Sequence, residues 1–185
     1  MVSFAGWEMP IQFSGLIKEH EAVRNNAGLF DISHMGALLI KGSNAKDQMQ
    51  YLVPSDLQRI GVGESCYTVL LNKNGGIIDD LIIYDLGLDN ENNEVLLAII
   101  NAACLDLDKK WIKENLSQRL SVTNAKKNPI LLAIQGPKAK EYLEKYLAIS
   151  LSSLPSFGHK TIEIKDLQKK AFSIFIARTG YTGED

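Results

Sequence analysis

Hydrophobic positions along the chain of 185 residues fall into short runs and into helical spacing. Runs rich in branched and aromatic residues predict strands, and they cover residues 37–41, 67–71, 81–86, 95–100, 130–134, 161–165 and 173–177. Apolar spacing with start and stop residues predicts helices over 16–27, 43–53, 102–116 and 137–147. Strands mingled with unevenly spaced helices are typical of an α+β fold.

Local signals add detail to these elements. Asn and Gly at 72–76 predict a tight turn, so the strands on either side should be antiparallel. The side chains of Ser43 and Asn101 are predicted to cap the helices that follow them. The apolar opening segment, residues 2–13, is interrupted by Gly and Pro and is predicted to be ordered but irregular.

Charge and composition exclude several classes of protein. The net charge of -2 offers no broad basic field, which disfavours nucleic acid as a partner. No segment reaches the roughly 18 apolar residues of a spanning helix, so no membrane partner is expected. Cys66 and Cys104 lack the spacing of a zinc site or a disulfide framework, so a reducing compartment is expected and both are predicted to be small core residues.

Asp79 and Asp80 stand where the predicted hairpin enters an apolar strand. Adjacent strand residues point to opposite faces, so one carboxylate should face the packed side or a cleft and the other should face solvent. This arrangement disfavours an acid and base pair that work together. A carboxylate in a partly dry pocket must be paired or hydrogen-bonded, which function could justify. The alternative is that both carboxylates bind amides of the turn and do nothing else.

Other candidate residues are less specific. His34 has no second His or Cys at metal-ligand spacing, which favours a structural histidine and no metal. Residues 135–137 follow a strand and are predicted to form a strand-to-helix turn, and no glycine motif for a phosphate cradle is present. Residues 178–185 suit either the wall of a polar site or a surface hairpin.

Six segments in this order resemble the folate-binding aminomethyltransferase of the glycine cleavage system, the T-protein family. They are FAGWEMP (4–10), GLFDISHM (28–35), NGGIIDDL (74–81), NAA (101–103), LAIQGP (132–137) and RTGYTGED (178–185). The resemblance implies that residues 1–185 form an incomplete folate-binding region of two interleaved α+β subdomains with mixed and antiparallel sheets. It implies a boundary near 38–40, a return near 137–155, a central folate channel, and a C-terminal β-barrel that is missing here.

The resemblance also implies an activity. A methylene group, carried as an aminomethyl group on the lipoyl arm of H-protein, passes to the acceptor substrate tetrahydrofolate. Ammonia leaves and 5,10-methylenetetrahydrofolate forms. No metal takes part, and the expected compartment is the cytoplasm, or the mitochondrial matrix in a eukaryote. Because the chain stops inside the last matching segment, the chain alone is expected to be inactive.

By motif position, the resemblance assigns the catalytic carboxylate to Asp80, beside the reactive folate amines. Tyr67 corresponds to an aromatic residue that lines the pterin channel, and Tyr181 to a second tyrosine near the folate. Met35 and Asn101 fall on segments that contact the pterin. Our hypothesis is that an ionised Asp80 in a water-poor channel orients the amine and stabilises positive charge on the methylene carbon.

Two alternative functions of related folate-binding proteins are considered beside the aminomethyltransferase. A folate-dependent demethylase, like the folate domain of sarcosine or dimethylglycine dehydrogenases, usually carries a flavin domain, and no flavin signature is visible. A non-catalytic folate-binding factor for iron-sulfur protein maturation carries a Lys-Gly-Cys-Tyr motif. Here Cys66 and Tyr67 match that motif, whereas Glu64 and Ser65 replace its first two residues.

Overall fold

The computed structural model describes residues 1–125, 130–165 and 168–185. The strands are β1 Val2–Phe4, β2 Trp7–Met9, β3 Gly28–Asp31, β4 Gly36–Gly42, β5 Ser65–Leu71, β6 Ile77–Leu88, β7 Glu94–Ile100, β8 Ser121–Asn124, β9 Leu132–Gln135, β10 His159–Lys165 and β11 Ala171–Ala177. The helices are α1 Leu16–Asn25, α2 Ala45–Gln50, α3 Leu105–Asn115 and α4 Ala139–Leu147. The predicted α+β class is confirmed.

The chain forms two compact units. The first unit contains residues 1–34 together with the described residues between 130 and 185. The second unit contains residues 35–125. The chain leaves the first unit after His34 and returns to it at Ile130. The sequence predicted a boundary near 38–40 and a return near 137–155. None of the helices within the described ranges is long and apolar enough to cross a membrane.

The second unit is built on an antiparallel sheet of five strands in the order β5-β6-β7-β4-β8. Residues alternate between the faces of a strand, and one face of this sheet forms the core with Leu38, Ile83 and Ile100, each fully buried. Helix α3 covers this core with Ile112, which is also fully buried. Burying each such side chain contributes about 1.5 to 3 kcal/mol, so this face fixes the register of the strands.

A tight turn joins β5 to β6, as predicted. The Asn72 side chain accepts hydrogen bonds from the backbone N–H groups of Asn74, at 2.9 Å, and Gly76, at 3.0 Å. Gly75 has a φ of 79°, which glycine adopts without steric cost. The predicted antiparallel pairing is confirmed, because Val69 lies opposite Asp80 and Cys66 lies opposite Ile83.

A half-buried lysine links α2 to the sheet of the second unit. Lys46 Nζ forms an ion pair with Asp85 and donates a hydrogen bond to the Ile60 carbonyl oxygen at 2.8 Å. The Lys46 side chain is only 16 % exposed and that of Asp85 only 8 %, so the two charges depend on each other. By contrast, Lys41 pairs with Asp89 at the surface.

The described residues of the first unit form three separate antiparallel strand pairs, β1-β2, β3-β9 and β10-β11. A small hydrophobic core of Leu151, Leu154 and Ile176 lies in this unit, with side chains of α4 and β10 packed against it. In the β3-β9 pair, Gly28 lies opposite Gln135. This pair therefore joins two segments that are about 100 residues apart along the chain.

Gly136 occupies the turn from β9 to α4, which confirms the strand-to-helix turn predicted over 135–137. Its φ is 137°, and a Cβ atom at this position would lie 2.5 Å from the Asn26 carbonyl oxygen and 2.6 Å from the Val23 carbonyl oxygen. Both neighbours are backbone atoms that cannot rotate away. Only glycine allows this approach.

Three local predictions are wrong. The opening segment forms the hairpin β1-β2, in which Phe4 lies opposite Trp7, and is not irregular. Ser43 does not cap α2, because Asn44 precedes the helix in a left-handed conformation and no side chain caps it. The Asn101 side chain caps neither the 3₁₀ turn Ala102–Cys104 nor α3, since its amide binds carboxylates instead.

Besides β1 and β2, two further strands, β3 and β8, were not predicted from the sequence. Each has four residues and pairs with one distant strand, β3 with β9 and β8 with β4. Strands this short are stabilised by their partners, so local sequence carries little signal for them.

Candidate functional site

The register of the second unit brings Tyr67, Asp80 and Asn101 to one end of the sheet. Val69 lies opposite Asp80, so Tyr67, two residues earlier on β5, shares the face of Asp80. On the other side, Leu81 pairs with Ile100 as the last pair of β6 and β7. Because β6 and β7 are antiparallel, the residue before Leu81 lies opposite the residue after Ile100. Asp80 and Asn101 are therefore neighbours.

Both carboxylate oxygens of Asp80 accept a hydrogen bond. Tyr67 Oη donates to Oδ2 at 3.1 Å, and Asn101 Nδ2 donates to Oδ1 at 3.0 Å. Asn101 Nδ2 also lies 3.3 Å from the backbone carbonyl oxygen of Asp80. The Asp80 carboxylate is exposed, as is Tyr67 at 55 %. The structure therefore presents a carboxylate at the surface of this unit and restrains it from two sides.

The charge of Asp80 acts on its tyrosine neighbour. The hydrogen bond to Asp80, and then the negative charge of Asp80, raise the pKa of the Tyr67 hydroxyl above its ordinary value. The Tyr67 hydroxyl therefore holds its proton, and with it the hydrogen bond to Asp80, more firmly than an isolated tyrosine does.

Asp79 points to the opposite face and is buried. Its Oδ1 accepts a hydrogen bond from Asn101 Nδ2 at 2.9 Å, and its Oδ2 accepts one from the Asn101 backbone N–H at 3.3 Å. The prediction that the two adjacent aspartates have different environments is confirmed. The alternative in which both bind turn amides is wrong, because Asn72 binds those amides and Asp79 binds Asn101.

A further carboxyl group, Asp108, lies under Asp79 and was missed from the sequence. Asp108 is fully buried, one helical turn before Ile112 on the inner face of α3. Burial first, and then the neighbouring Asp79 carboxylate, raise the pKa of Asp108 to about 7. Burial likewise raises the pKa of the Cys104 thiol, with Asp79 and Asp108 adding to the effect.

A sequence signal for Asp108 existed. Leu105, Asp108 and Ile112 follow i, i+3, i+7 spacing, which places a charged residue inside the apolar stripe of a helix. Acidic residues are almost never fully buried without a partner, so such a position indicates a special environment.

Met35 directly precedes β4, whose first residue Gly36 lies opposite Ile100. Its register position is therefore at the same end of the sheet as Asn101. The structure thus brings Tyr67, Asp80 and Asn101 into contact, and the register places Met35 at the same end of the sheet.

Tyr181 belongs to the first unit. Its ring lies edge-on to Phe30 with the ring centres 5.9 Å apart, and its backbone N–H donates to Gln135 Oε1 at 3.3 Å. The same glutamine oxygen accepts a hydrogen bond from Thr182 Oγ1 at 2.9 Å. These bonds fix the loop that carries Tyr181 within its own unit.

The charges around Tyr181 are paired. Arg178 forms a bidentate ion pair with Asp185, which lowers the pKa of the Asp185 carboxyl and raises that of the guanidinium. Arg24 NH1 pairs with Glu184 at 2.8 Å. Residues 178–185 are thus tied by side-chain contacts to other parts of the first unit.

Metal ligands do not cluster in the part of the chain that the structure covers: no group of three His, Cys, Asp or Glu residues there could hold a metal ion. The His34 ring packs edge-on against Phe4, with ring centres 5.8 Å apart. The cluster in the second unit presents a carboxylate held by a phenol and an amide.

The chain is similar to known proteins over its whole length. The family model of the GCVT N-terminal domain matches residues 1–185. An aminomethyltransferase of Prochlorococcus marinus is 61 % identical over 188 residues, and one of Synechococcus sp. is 60 % identical over 186 residues; each match covers 100 % of this chain and 50 % of the relative.

A solved structure shows the same fold. The crystal structure of the glycine cleavage system aminomethyltransferase T from Bartonella henselae superposes with a TM-score of 0.80 at 33 % identity, covering 100 % of this chain and 47 % of that one. The chain thus spans about half the length of the curated relatives it matches. On the match of the family model to every residue, the chain belongs to the GCVT N-terminal domain family.

Proposed function

We propose that this chain is the folate-binding part of an aminomethyltransferase of the glycine cleavage system. The substrate is the aminomethyl group on the lipoyl arm of H-protein, and the acceptor is tetrahydrofolate. Carbon transfer to the two folate amines forms 5,10-methylenetetrahydrofolate, and ammonia and the reduced lipoyl arm are released. Relatives with the name aminomethyltransferase, up to 61 % identical, support this proposal.

The observation that carries the proposal is the restrained carboxylate of Asp80. Two donors, Tyr67 Oη and Asn101 Nδ2, fix its position while leaving it open on the surface of its unit. A negative charge that is already in place needs no reorganisation when positive charge develops on the carbon under transfer. We assign Asp80 the roles of orienting the folate amine and stabilising that charge.

The other predicted residues have supporting roles in this proposal. Tyr67 combines an apolar ring, suited to the flat pterin, with a hydroxyl that holds Asp80. Asn101 joins Asp80 to the buried Asp79. Met35, at the same end of the sheet, and Tyr181, in the first unit, are proposed pterin contacts by family resemblance.

The two units fit the proposal of interleaved subdomains, because the first is assembled from both ends of the chain and the second from its middle. The aminomethyltransferase names of the relatives favour this activity over the demethylase and the iron-sulfur maturation factor. We further propose that no metal takes part and that the enzyme works in the cytoplasm of a bacterium, as its similarity to proteins of Prochlorococcus and Synechococcus supports.

The test is Asp80→Asn in the whole enzyme, assayed with lipoylated H-protein and tetrahydrofolate. The amide keeps the shape of the side chain and removes its charge, so kcat should fall by about 100-fold or more while the folate Kd changes by less than about threefold.

Asp106→Asn is the matched control, since it removes an exposed carboxylate of the same unit outside the cluster and should leave kcat unchanged. Wild-type turnover by Asp80→Asn would show that Asp80 does not have this role. Absence of transfer by the wild-type enzyme would refute the proposed function itself.

A further inference from the structure

The buried carboxyl groups of Asp79 and Asp108 form a pair beneath the candidate site. Asp108 is fully buried, and within the described parts of the chain neither of its oxygens has a hydrogen-bond donor. The group that faces it is the carboxyl of Asp79, close enough for a hydrogen bond if one of the two carries a proton. Asp79 is itself buried.

Two ionised carboxylates are strongly disfavoured next to each other in the buried interior of the unit. Each offers only acceptors, and the repulsion between two anions away from water is large. A proton between them turns one acceptor into a donor and removes one charge. Asp79 already accepts both hydrogen bonds from Asn101, whereas Asp108 has none, so the proton belongs on Asp108.

We propose that Asp108 is a positioning residue that stays protonated at mildly acidic pH and donates a hydrogen bond to Asp79. The hydrogen bond fixes Asp79, Asp79 fixes the Asn101 amide, and Asn101 fixes the carboxylate of Asp80. A chain of hydrogen bonds therefore runs from the core of the second unit to its surface. The effect of this chain on turnover rests on the proposed function, whereas the buried proton does not.

The surroundings make this proton sensitive to pH. Among the residues that the structure describes, the titratable groups that face the pair are Cys104, which precedes α3, and Asp80 on the far side of Asn101. Both are acids. In the described ranges neither Asp79 nor Asp108 has a salt bridge to Lys, Arg or His, so nothing offsets a second negative charge. Loss of the proton above about pH 7 should push the two side chains apart and loosen Asn101.

Two substitutions of Asp108 distinguish the effect of its hydrogen-bond donor from the effect of its side-chain volume. Asp108→Asn places a permanent N–H donor opposite Asp79, whereas Asp108→Leu fills the same space with no donor. In the whole enzyme, the wild-type kcat should fall above pH 7. Asp108→Asn should keep kcat at pH 6 within about threefold of wild type and should not show this fall. Asp108→Leu should lower kcat by about tenfold at pH 6, with the KM for tetrahydrofolate nearly unchanged, and its kcat should not fall further above pH 7 through this group.

The proton itself is measured by infrared spectroscopy at pH 6 on the same enzymes. The carbonyl band of a protonated carboxyl group should be present in the wild type and in the control Asp106→Asn, and absent in Asp108→Asn. This band does not depend on activity, so an inactive wild type would refute the proposed function and leave the band to report on the pair.

Three results would overturn the inference. They are a wild type without the protonated-carboxyl band, an Asp108→Asn enzyme as slow as Asp108→Leu, and an Asp108→Leu enzyme with wild-type turnover and pH profile.

Discussion

The free energy of unfolding should depend on pH through Asp108. The group has an ordinary pKa of 3.8 and a pKa of about 7 in the folded protein. The folded state therefore binds a proton that the unfolded state has released between these two values. Stability from this group is complete below pH 3.8 and is lost as the pH rises towards 7, which is the reverse of an ordinary salt-bridged aspartate.

The two pKa values set the size of the effect. Linkage between them predicts a loss on the order of 2 kcal/mol in the free energy of unfolding from pH 5 to pH 7. Asp108→Asn cannot ionise and should not show this loss. Comparing the two proteins at the same two pH values cancels the titration of the other groups they share.

Urea unfolding followed by tryptophan fluorescence measures this difference. The chain has two tryptophans, Trp7 in the first unit and Trp111 in the second. In the 185-residue chain with Trp7→Phe, the tryptophan signal comes from Trp111, on the same helix as Asp108. Each variant is unfolded at pH 5 and at pH 7.

Wild type should lose about 2 kcal/mol relative to Asp108→Asn, and the exposed control Asp106→Asn should behave like wild type. If the stabilities of wild type and Asp108→Asn change in parallel between the two pH values, then Asp108 is ionised in the folded protein and the reasoning fails.

Three other substitutions test separate parts of the structure. Tyr67→Phe removes one donor to Asp80 and should lower kcat by about fivefold, and a difference titration should lose one tyrosine that ionises above the ordinary pKa. Gly136→Ala forces a Cβ against two backbone oxygens at positive φ and should lower the free energy of unfolding by about 2 to 4 kcal/mol; an unchanged Tm would contradict the close approach. Lys46→Met leaves the buried carboxylate of Asp85 without its ion-pair partner and should lower the free energy of unfolding in urea by about 3 kcal/mol. Lys41→Met removes a surface ion pair and should change the free energy of unfolding little. Equal effects of the two substitutions would contradict the difference in burial between the two ion pairs.

Elements whose contacts are local could be predicted from the sequence. The turn between β5 and β6 depends on Asn72 and Gly75, which lie within the turn itself, so its residue types were sufficient. The β3-β9 pair could not be found in this way, because Gly28 and Gln135 meet only after the rest of the chain has been placed. Local patterns also do not show which partner stabilises a strand of four residues.

The site was predictable to the extent that alternation along a strand fixes faces. This rule separated Asp79 from Asp80 correctly. The local capping preference, by contrast, gave the wrong role for the Asn101 side chain, which looks like a helix cap when only its neighbours in sequence are considered. Its real partners lie on the adjacent strand β6, and the competition between a cap and two carboxylates is decided by tertiary structure.

The pairing of β3 with β9 has a consequence for synthesis on the ribosome. Gly28 emerges about 100 residues before Gln135, which at 5 to 20 residues per second is a delay of roughly 5 to 20 s. The intervening residues of the second unit are contiguous and can fold during this delay, whereas the edge of β3 stays open. The speed of translation, as well as the sequence, therefore sets how long a nascent chain exposes an unpaired strand to other nascent chains or to chaperones.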